Sequence, residues 1–119
     1  MPAKQEHVQK AEGNAAFALS LTLDSKPKID WALIALFYAA MHYVEAYLAT
    51  QNIHLRSHQT RDNAIGRDSK LKKIFVDYQD LKYYGYAARY EPSTFTPKDV
   101  TGMAAPGFAT IKAHIKPLL

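Results

Sequence analysis

Two ionisable side chains interrupt the most apolar stretch of this sequence. His42 and Glu45 lie between Trp31 and Leu48, a segment with no other acidic, basic or imidazole group. Residues three apart project from the same side of a helix. Because unpartnered burial of such groups is costly, each needs a hydrogen bond, a counter-charge or water. The pair is therefore a polar pair satisfied by a neighbouring tyrosine or arginine, or the floor of a ligand or catalytic cleft.

A second group combines histidine and arginine downstream of that stretch, as His54, Arg56, His58 and Arg61. Histidine can donate or accept a proton near neutral pH, and arginine stabilises phosphate charge. Phosphodiester cleavage and nucleotide binding both use these residue types. His58 and Arg61 would share a face of a short helix. The alternative is a basic surface loop followed by a helix that Ser57 caps.

A metal site is a further possibility for these groups. His42-x-x-Glu45 resembles half of a carboxylate-bridged di-metal site, but Glu6, Glu12 and Glu91 supply no matching motif. His54 or His58 could complete a three-ligand site, although their spacing is not diagnostic. The chain has no cysteine. The sequence therefore predicts no metal and no cofactor.

The positive charge of the chain is local. The net charge is +4, and the segment from His54 to Lys73 alone holds six cations and two acids. Such a segment suits an anionic partner such as RNA, a nucleotide or an acidic protein, or is a solvated loop and helix face. Five tyrosines and Arg89 crowd a later segment, where they could stack on bases or pack at a helix interface: Tyr78, Tyr83, Tyr84, Tyr86 and Tyr90.

The elements that must position these residues are all helical by their spacing. The first helix is predicted from Lys4 to Ser20 with Val8, Ala11, Ala15 and Leu19 on its buried face, and Asp24 to Lys28 forms a connection. Asp30 is the expected N-cap of a second helix that ends near Ala49. Predicted helices follow at His58–Gly66, at Lys70–Tyr90 and from Thr96 onward, where Pro106-Gly107 should kink or break the last.

Length and composition predict one all-α domain over residues 1–119. Short connections between long amphipathic helices favour an up-and-down bundle of four main helices plus a short extra helix, with the most apolar helix in the centre. Residues 31–49 are long enough to span a membrane, but the charged groups within them favour a core helix instead. We expect no membrane association, no leader peptide and a cytoplasmic location, which the absence of cysteine suits.

Several segments together resemble the HEPN superfamily. They are the second helix from Asp30 to Ala46, the stretch Ser57-His58 with Arg61, and Tyr86-Ala87-Ala88-Arg89-Tyr90 before a helix that starts at Thr96. They extend over roughly residues 28–118. The resemblance implies a helical bundle that often dimerises and commonly binds nucleotides or RNA. Many members act in defence or toxin–antitoxin systems, sometimes beside a small nucleotidyltransferase, and others are metal-independent ribonucleases.

The ribonuclease hallmark of that superfamily is an arginine, four to six residues and then a histidine. No arginine of this chain is followed by a histidine at that spacing. The leading hypothesis is thus a HEPN-like homodimer that binds a nucleotide or RNA through His42, Glu45, His58, Arg61 and Arg89. Two alternatives are a divergent metal-independent ribonuclease, with His58 or His42 as acid–base and Arg61 at the phosphate, and a structural or antitoxin-like module that binds another protein. The leading hypothesis predicts binding without turnover; if the chain is an enzyme, it is expected to be a metal-independent ribonuclease.

Overall fold

A computed structural model describes residues 3–92 and 94–119, and every regular element in these residues is helical. The α-helices, numbered in chain order, are α1 (Lys4–Ser20), α2 (Lys26–Thr50), α3 (His58–Arg67), α4 (Phe75–Tyr90) and α5 (Ala105–Ile115). Short 3-10 turns precede α4 at Lys72–Ile74 and follow α5 at Lys116–Leu118. A π-helical segment, Asp99–Ala104, leads directly into α5. The predicted all-α class is confirmed.

The predicted start of the second helix at Asp30 is wrong. The helix begins at Lys26, with Ser25 at the N-cap and Pro27 in the first turn, where its missing N–H costs no hydrogen bond. Asp30 lies one turn inside and accepts a hydrogen bond from Lys26 Nζ at 2.6 Å. The helix ends at Thr50, close to the predicted end, and Asn52 adopts a left-handed φ of 58° that turns the chain away.

The other helix ends follow their sequence signals with two adjustments. Ser57 caps α3 as predicted, and its Oγ accepts from the Thr60 N–H at 3.1 Å. The predicted start at Lys70 is replaced by a turn and the 3-10 segment, so α4 begins at Phe75. Pro106-Gly107 was predicted to kink or break the last helix, and a break does not occur, since α5 continues through both residues. Pro106 has no N–H to donate to a helical hydrogen bond. The backbone changes from π to α geometry at Ala105, so the irregular hydrogen bonding lies just before Pro106.

The core surrounds α2, which supplies fourteen of the buried residues. Phe37 of α2 packs on Tyr78 and His58 at ring-centroid distances of 5.7 and 5.8 Å, and Tyr43 packs on Phe108 at 6.0 Å. Within the described residues α2 alone has the length and apolar composition of a membrane span, and 72% of that window is buried inside the protein. The neighbouring helices therefore cover most of its apolar surface.

The buried face of α1 matches the predicted one at Ala11 and Ala15 and differs at Val8 and Leu19. The stripe consists of His7, Ala11, Ala15 and Ala18, whereas Leu19 is 69% exposed. Alanines allow two helix backbones to approach closely, and α2 offers its own small residues, among them Ala32, Ala39 and Ala40. Close packing of small side chains thus selects this face over the bulkier apolar one, and it turns His7 inward.

Candidate functional site

The candidate site is built on one side of α2. Trp31, Tyr38, His42 and Glu45 follow one another at steps of seven, four and three residues, which places them along a single stripe. Trp31 is exposed and the other three are half-buried, unlike most of this helix. From the first to the last residue the stripe extends over about 21 Å at ~1.5 Å per residue. We refer to these four residues as the α2 face.

Helix α1 contributes His7, a residue that the sequence pattern did not single out. Its side chain is buried, and its Nδ1 lies 3.1 Å from Nδ1 of His42. Its Nε2 lies 3.6 Å from Oε2 of Glu45. At 3.1 Å one imidazole must donate and the other accept, so the facing nitrogens share a single proton. The one signal that could have found His7 is its position four residues before Ala11, on the stripe of alanines.

Helix α3 contributes Arg61, which is buried to 4% exposure and links two predicted site residues. Its Nη2 lies 3.3 Å from Oε1 of Glu45, and its Nη1 donates to Nδ1 of His58 at 3.2 Å. The hydroxyl of Tyr78 lies near this guanidinium but outside hydrogen-bonding geometry. Arg61 thereby neutralises Glu45 and fixes His58 as a hydrogen-bond acceptor at Nδ1.

Helix α4 contributes Arg89 at the other end of the α2 face. Its guanidinium donates to the hydroxyl of Tyr38 and lies 5.6 and 4.8 Å from the ring centroids of Tyr38 and Tyr90. Both distances fall within the range of a cation–π interaction. Arg89 is exposed, so these contacts leave part of the group open to solvent.

Three depressions lie along this side of the molecule. A cavity of about 250 Å³ is lined by His7, Glu45, His54 and Arg56 with apolar neighbours. Two grooves of about 400 Å³ each share Trp31 and Ile34. One also includes Lys26, Arg89 and Tyr90, and the other includes Phe17 and Tyr38. The deep polar cavity and the shallow aromatic grooves thus lie at opposite ends of the α2 face.

Desolvation lowers the pKa of each of the three histidines of the site. Desolvation, reinforced by the nearby charges of His7, Lys10 and Arg61, lowers the pKa of His42 to about 4. The pKa of His7 is also lowered, chiefly by desolvation, with Glu45 opposing that shift. Desolvation and the adjacent Arg61 lower the pKa of His58. At neutral pH all three imidazoles can accept a proton or ligate a metal.

These shifts predict acid destabilisation. A histidine whose pKa is lower in the folded state binds more protons when unfolded, so stability is lost as the pH falls from about 6.5 towards 4. We expect the free energy of unfolding to drop by about 1–2 kcal/mol between pH 7 and 4.5, after discounting for partial exposure. Urea denaturation in chelator-treated buffer measures this. His42→Gln should remove a large part of the dependence, and an unchanged pH profile in that variant would contradict the assignment.

The structure joins four of the five predicted site residues. Glu45, Arg61 and His58 form one chain of contacts, and His42 joins it through His7. Arg89 lies apart, at Tyr38, and lines a groove that Glu45 does not.

The possible metal ligands also divide between two places. His54 lines the cavity beside Glu45, whereas His58 faces Arg61 instead. One donor atom each from His7, His42 and Glu45 lies within 4.8 Å of the others, which makes these three the group able to hold a metal among the described residues.

Tyrosines of α4 divide between core and surface. Tyr78 is fully buried, whereas Tyr83, Tyr86 and Tyr90 are more than half exposed.

Comparison with known proteins gives no further guide, since no family model, no curated protein and no solved structure matches the chain.

Proposed function

We propose that the protein binds single-stranded RNA or a nucleotide along the α2 face. The observation that carries the proposal is Arg89, held against the rings of Tyr38 and Tyr90 beside the exposed Trp31. Single-stranded nucleic acids bind where bases stack on aromatic rings or guanidinium planes and cations follow the backbone. Trp31 and Tyr90 are 57% and 62% exposed, which leaves both rings accessible to a base.

Exposed cations lie near both ends of the α2 face. Lys10 of α1 lies close enough to His42 to affect its pKa, and Arg56 lines the cavity beside Glu45. At the other end Arg89 lines one groove together with Lys26, whose ammonium pairs with Asp30. Since phosphate contacts provide much of the affinity for nucleic acids, this distribution suits an anionic ligand lying lengthwise.

The dimensions suit a short oligonucleotide. The α2 face extends over about 21 Å, which would hold roughly six stacked nucleotides at ~3.4 Å each. Bases would stack at the end formed by Trp31 and Tyr90, while the strand would continue towards His58 and the cavity. His42, Glu45 and Arg61 would shape the end of the site beside the cavity. Arg61 is buried and already contacts Glu45 and His58, so it would act mainly by positioning these two residues.

Trp31 gives a direct test because it is the single tryptophan of the chain. We expect single-stranded RNA to quench its fluorescence as a base stacks on the indole, and we expect higher salt to weaken the binding. Arg89→Ala should weaken binding by about tenfold, in line with the ~1–3 kcal/mol of a stacking contact. Fluorescence titration and anisotropy of a labelled oligonucleotide measure the two effects.

Two matched variants distinguish binding at the α2 face from binding through positive charge elsewhere on the protein. Lys98→Ala removes one exposed positive charge that lines neither the cavity nor the two aromatic grooves, so the affinity of this variant should equal that of the parent protein. Arg67→Ala removes one from the basic segment between His54 and Lys73. If Arg67→Ala weakens binding and Arg89→Ala does not, the basic segment is the interface. No binding of RNA, nucleotides or DNA at low salt would reject the proposal.

The ribonuclease alternative has one observation in its favour. His58 is exposed, and its Nδ1 is fixed by Arg61 at 3.2 Å, as an oriented acid–base group would be. The binding proposal predicts that RNA remains intact. Cleavage that persists with chelator and disappears in His58→Ala would favour the enzyme instead.

The resemblance to HEPN proteins belongs to the same proposal. A HEPN-like homodimer, with or without a nucleotidyltransferase partner, could use the exposed aromatic residues Phe17, Trp31, Tyr86 and Tyr90 as its interface. Sedimentation with and without RNA distinguishes the two uses. If a dimer forms and excludes RNA from Trp31, the surface serves protein association, which is the third hypothesis from sequence.

A further inference from the structure

We infer that His7, His42 and Glu45 form a binding site for a divalent transition-metal ion, with Zn²⁺ as the best match. The sequence predicted no metal because His7 was not among the candidate ligands. The clustering of these side chains carries the proposal, which does not depend on RNA binding.

One ligand atom each from His7, His42 and Glu45 lies within 4.8 Å of the others, so a tetrahedral ion needs a modest rearrangement of these side chains. At metal–ligand bonds of ~2.0–2.1 Å, two ligand atoms of a tetrahedral zinc lie about 3.3 Å apart. The contact between the two Nδ1 atoms is 3.1 Å, and that between His7 Nε2 and Glu45 Oε2 is 3.6 Å. The two contacts use different nitrogens of His7. Binding therefore requires a turn of this ring so that one nitrogen approaches both partners.

The kinds of ligand also select the ion. Two imidazoles with one carboxylate are a common three-ligand set for zinc, and imidazole favours zinc, copper, nickel and iron over magnesium or calcium. His7 belongs to α1 and the other two ligands belong to α2, so rigid helices hold all three. His7 and Glu45 line the cavity of about 250 Å³, which provides an entry path and room for water as a fourth ligand.

Arg61 supports this geometry from behind the carboxylate. It engages Oε1 of Glu45 at 3.3 Å, which leaves Oε2 on the side of His7. Carboxylates that ligate metals are commonly held by such hydrogen bonds. Because Arg61 balances Glu45, an ion with two positive charges would leave the site at about +2. A fourth ligand with negative charge, such as hydroxide or a phosphate oxygen, would therefore be favoured.

Zinc titration of the chelator-treated full-length chain tests the inference. Isothermal titration calorimetry should show one ion per chain. Co²⁺ should give the visible absorption of a four-coordinate site, and Zn²⁺ should abolish that absorption. In nitrogen NMR of the parent protein, Zn²⁺ should shift the imidazole signals of His7 and His42 and leave those of His114 in place. This measurement needs no substitution, so a folding defect cannot confuse it.

Substitutions then assign the ligands. His42→Gln and Glu45→Gln should each weaken Zn²⁺ binding by more than about 100-fold. Substitution of a residue that only hydrogen-bonds to a ligand typically weakens binding by ~10–100-fold. His114→Gln is the matched control, since His114 bonds to the backbone carbonyl of Lys70 on another face. Circular dichroism confirms that each variant is folded.

Two results would overturn the inference: absence of stoichiometric binding, or equal affinity in His42→Gln and His114→Gln. RNA binding that persists in the metal-free protein would leave the proposed function standing whichever way the metal result falls.

Discussion

Replacing Arg61 with alanine is expected to lower the free energy of unfolding by about 3 kcal/mol. The loss of one partner from a buried ion pair typically costs ~3–5 kcal/mol, because the remaining charge stays buried without compensation. Here the side chains of Arg61 and Glu45 are 5% and 16% exposed, so water reaches Glu45 slightly and the lower end of that range applies. The same change also removes the hydrogen bond to His58.

Urea denaturation at neutral pH measures this loss. Arg67→Ala is the matched control, since Arg67 is exposed on the same helix, and it should change stability by less than about 0.5 kcal/mol. In Arg61→Leu/Glu45→Leu neither charge remains, so much of the lost stability should return. If Arg61→Ala and Arg67→Ala lost the same amount of stability, the pair of Arg61 and Glu45 would be solvated rather than buried. The described contacts of Arg61 with Glu45 and His58 would then be wrong.

Enlarging Gly85 is expected to have a comparable effect through a different cause. A Cβ atom at this position would lie 3.0 Å from Cβ of Phe37 and 3.1 Å from its Cδ2, because α4 crosses α2 there at close range. Gly85→Leu must push the two helices apart, and overpacking of a core costs ~1–3 kcal/mol or more. We expect a loss of about 3 kcal/mol, despite the ~0.7 kcal/mol that leucine gains over glycine in helix propensity.

Gly13→Leu provides the control for that change. Gly13 lies in α1, and a Cβ atom added there would have no neighbouring atom within 4 Å. Only the gain in helix propensity should therefore remain, and stability should rise slightly. Thermal and urea denaturation of the two variants should shift in opposite directions. Similar shifts in both would show that helix propensity, and not the contact with Phe37, governs Gly85.

The parts of the fold that sequence predicts well are those with large apolar residues at helical spacing. Val100, Phe108 and Ile115, which recur at helical spacing in the last helical region, are buried, and so are Tyr78 and Leu81 of α4. In α1 the same reasoning chose Leu19, because a bulky side chain usually marks the core. The presence of an alanine says little about whether its position is buried. Its contribution to packing is that a partner helix can approach closely. That partner is known only once the fold is known.

The candidate site was predicted in part for a related reason. Spacing within one helix is readable from sequence, so His42 and Glu45 were recognised on one side of α2. The expected arginine from a neighbouring helix is Arg61 of α3. His7 lies 35 residues before His42, and nothing local links them. Asp30 shows the converse error: its carboxylate suits an N-cap, but Pro27 and Ser25 start the helix one turn earlier.

The π-helical segment Asp99–Ala104 also acts on the angular phase of the last helix. In an α-helix a step of four residues overshoots a full turn by about 40°. The buried residues Val100, Ala104 and Phe108 follow two such steps, which would rotate the first away from the last by about 80°. A wider turn needs more residues per revolution and absorbs that rotation. The segment therefore compensates for the rotation about the helix axis, so that Val100, Ala104 and Phe108 all face α2.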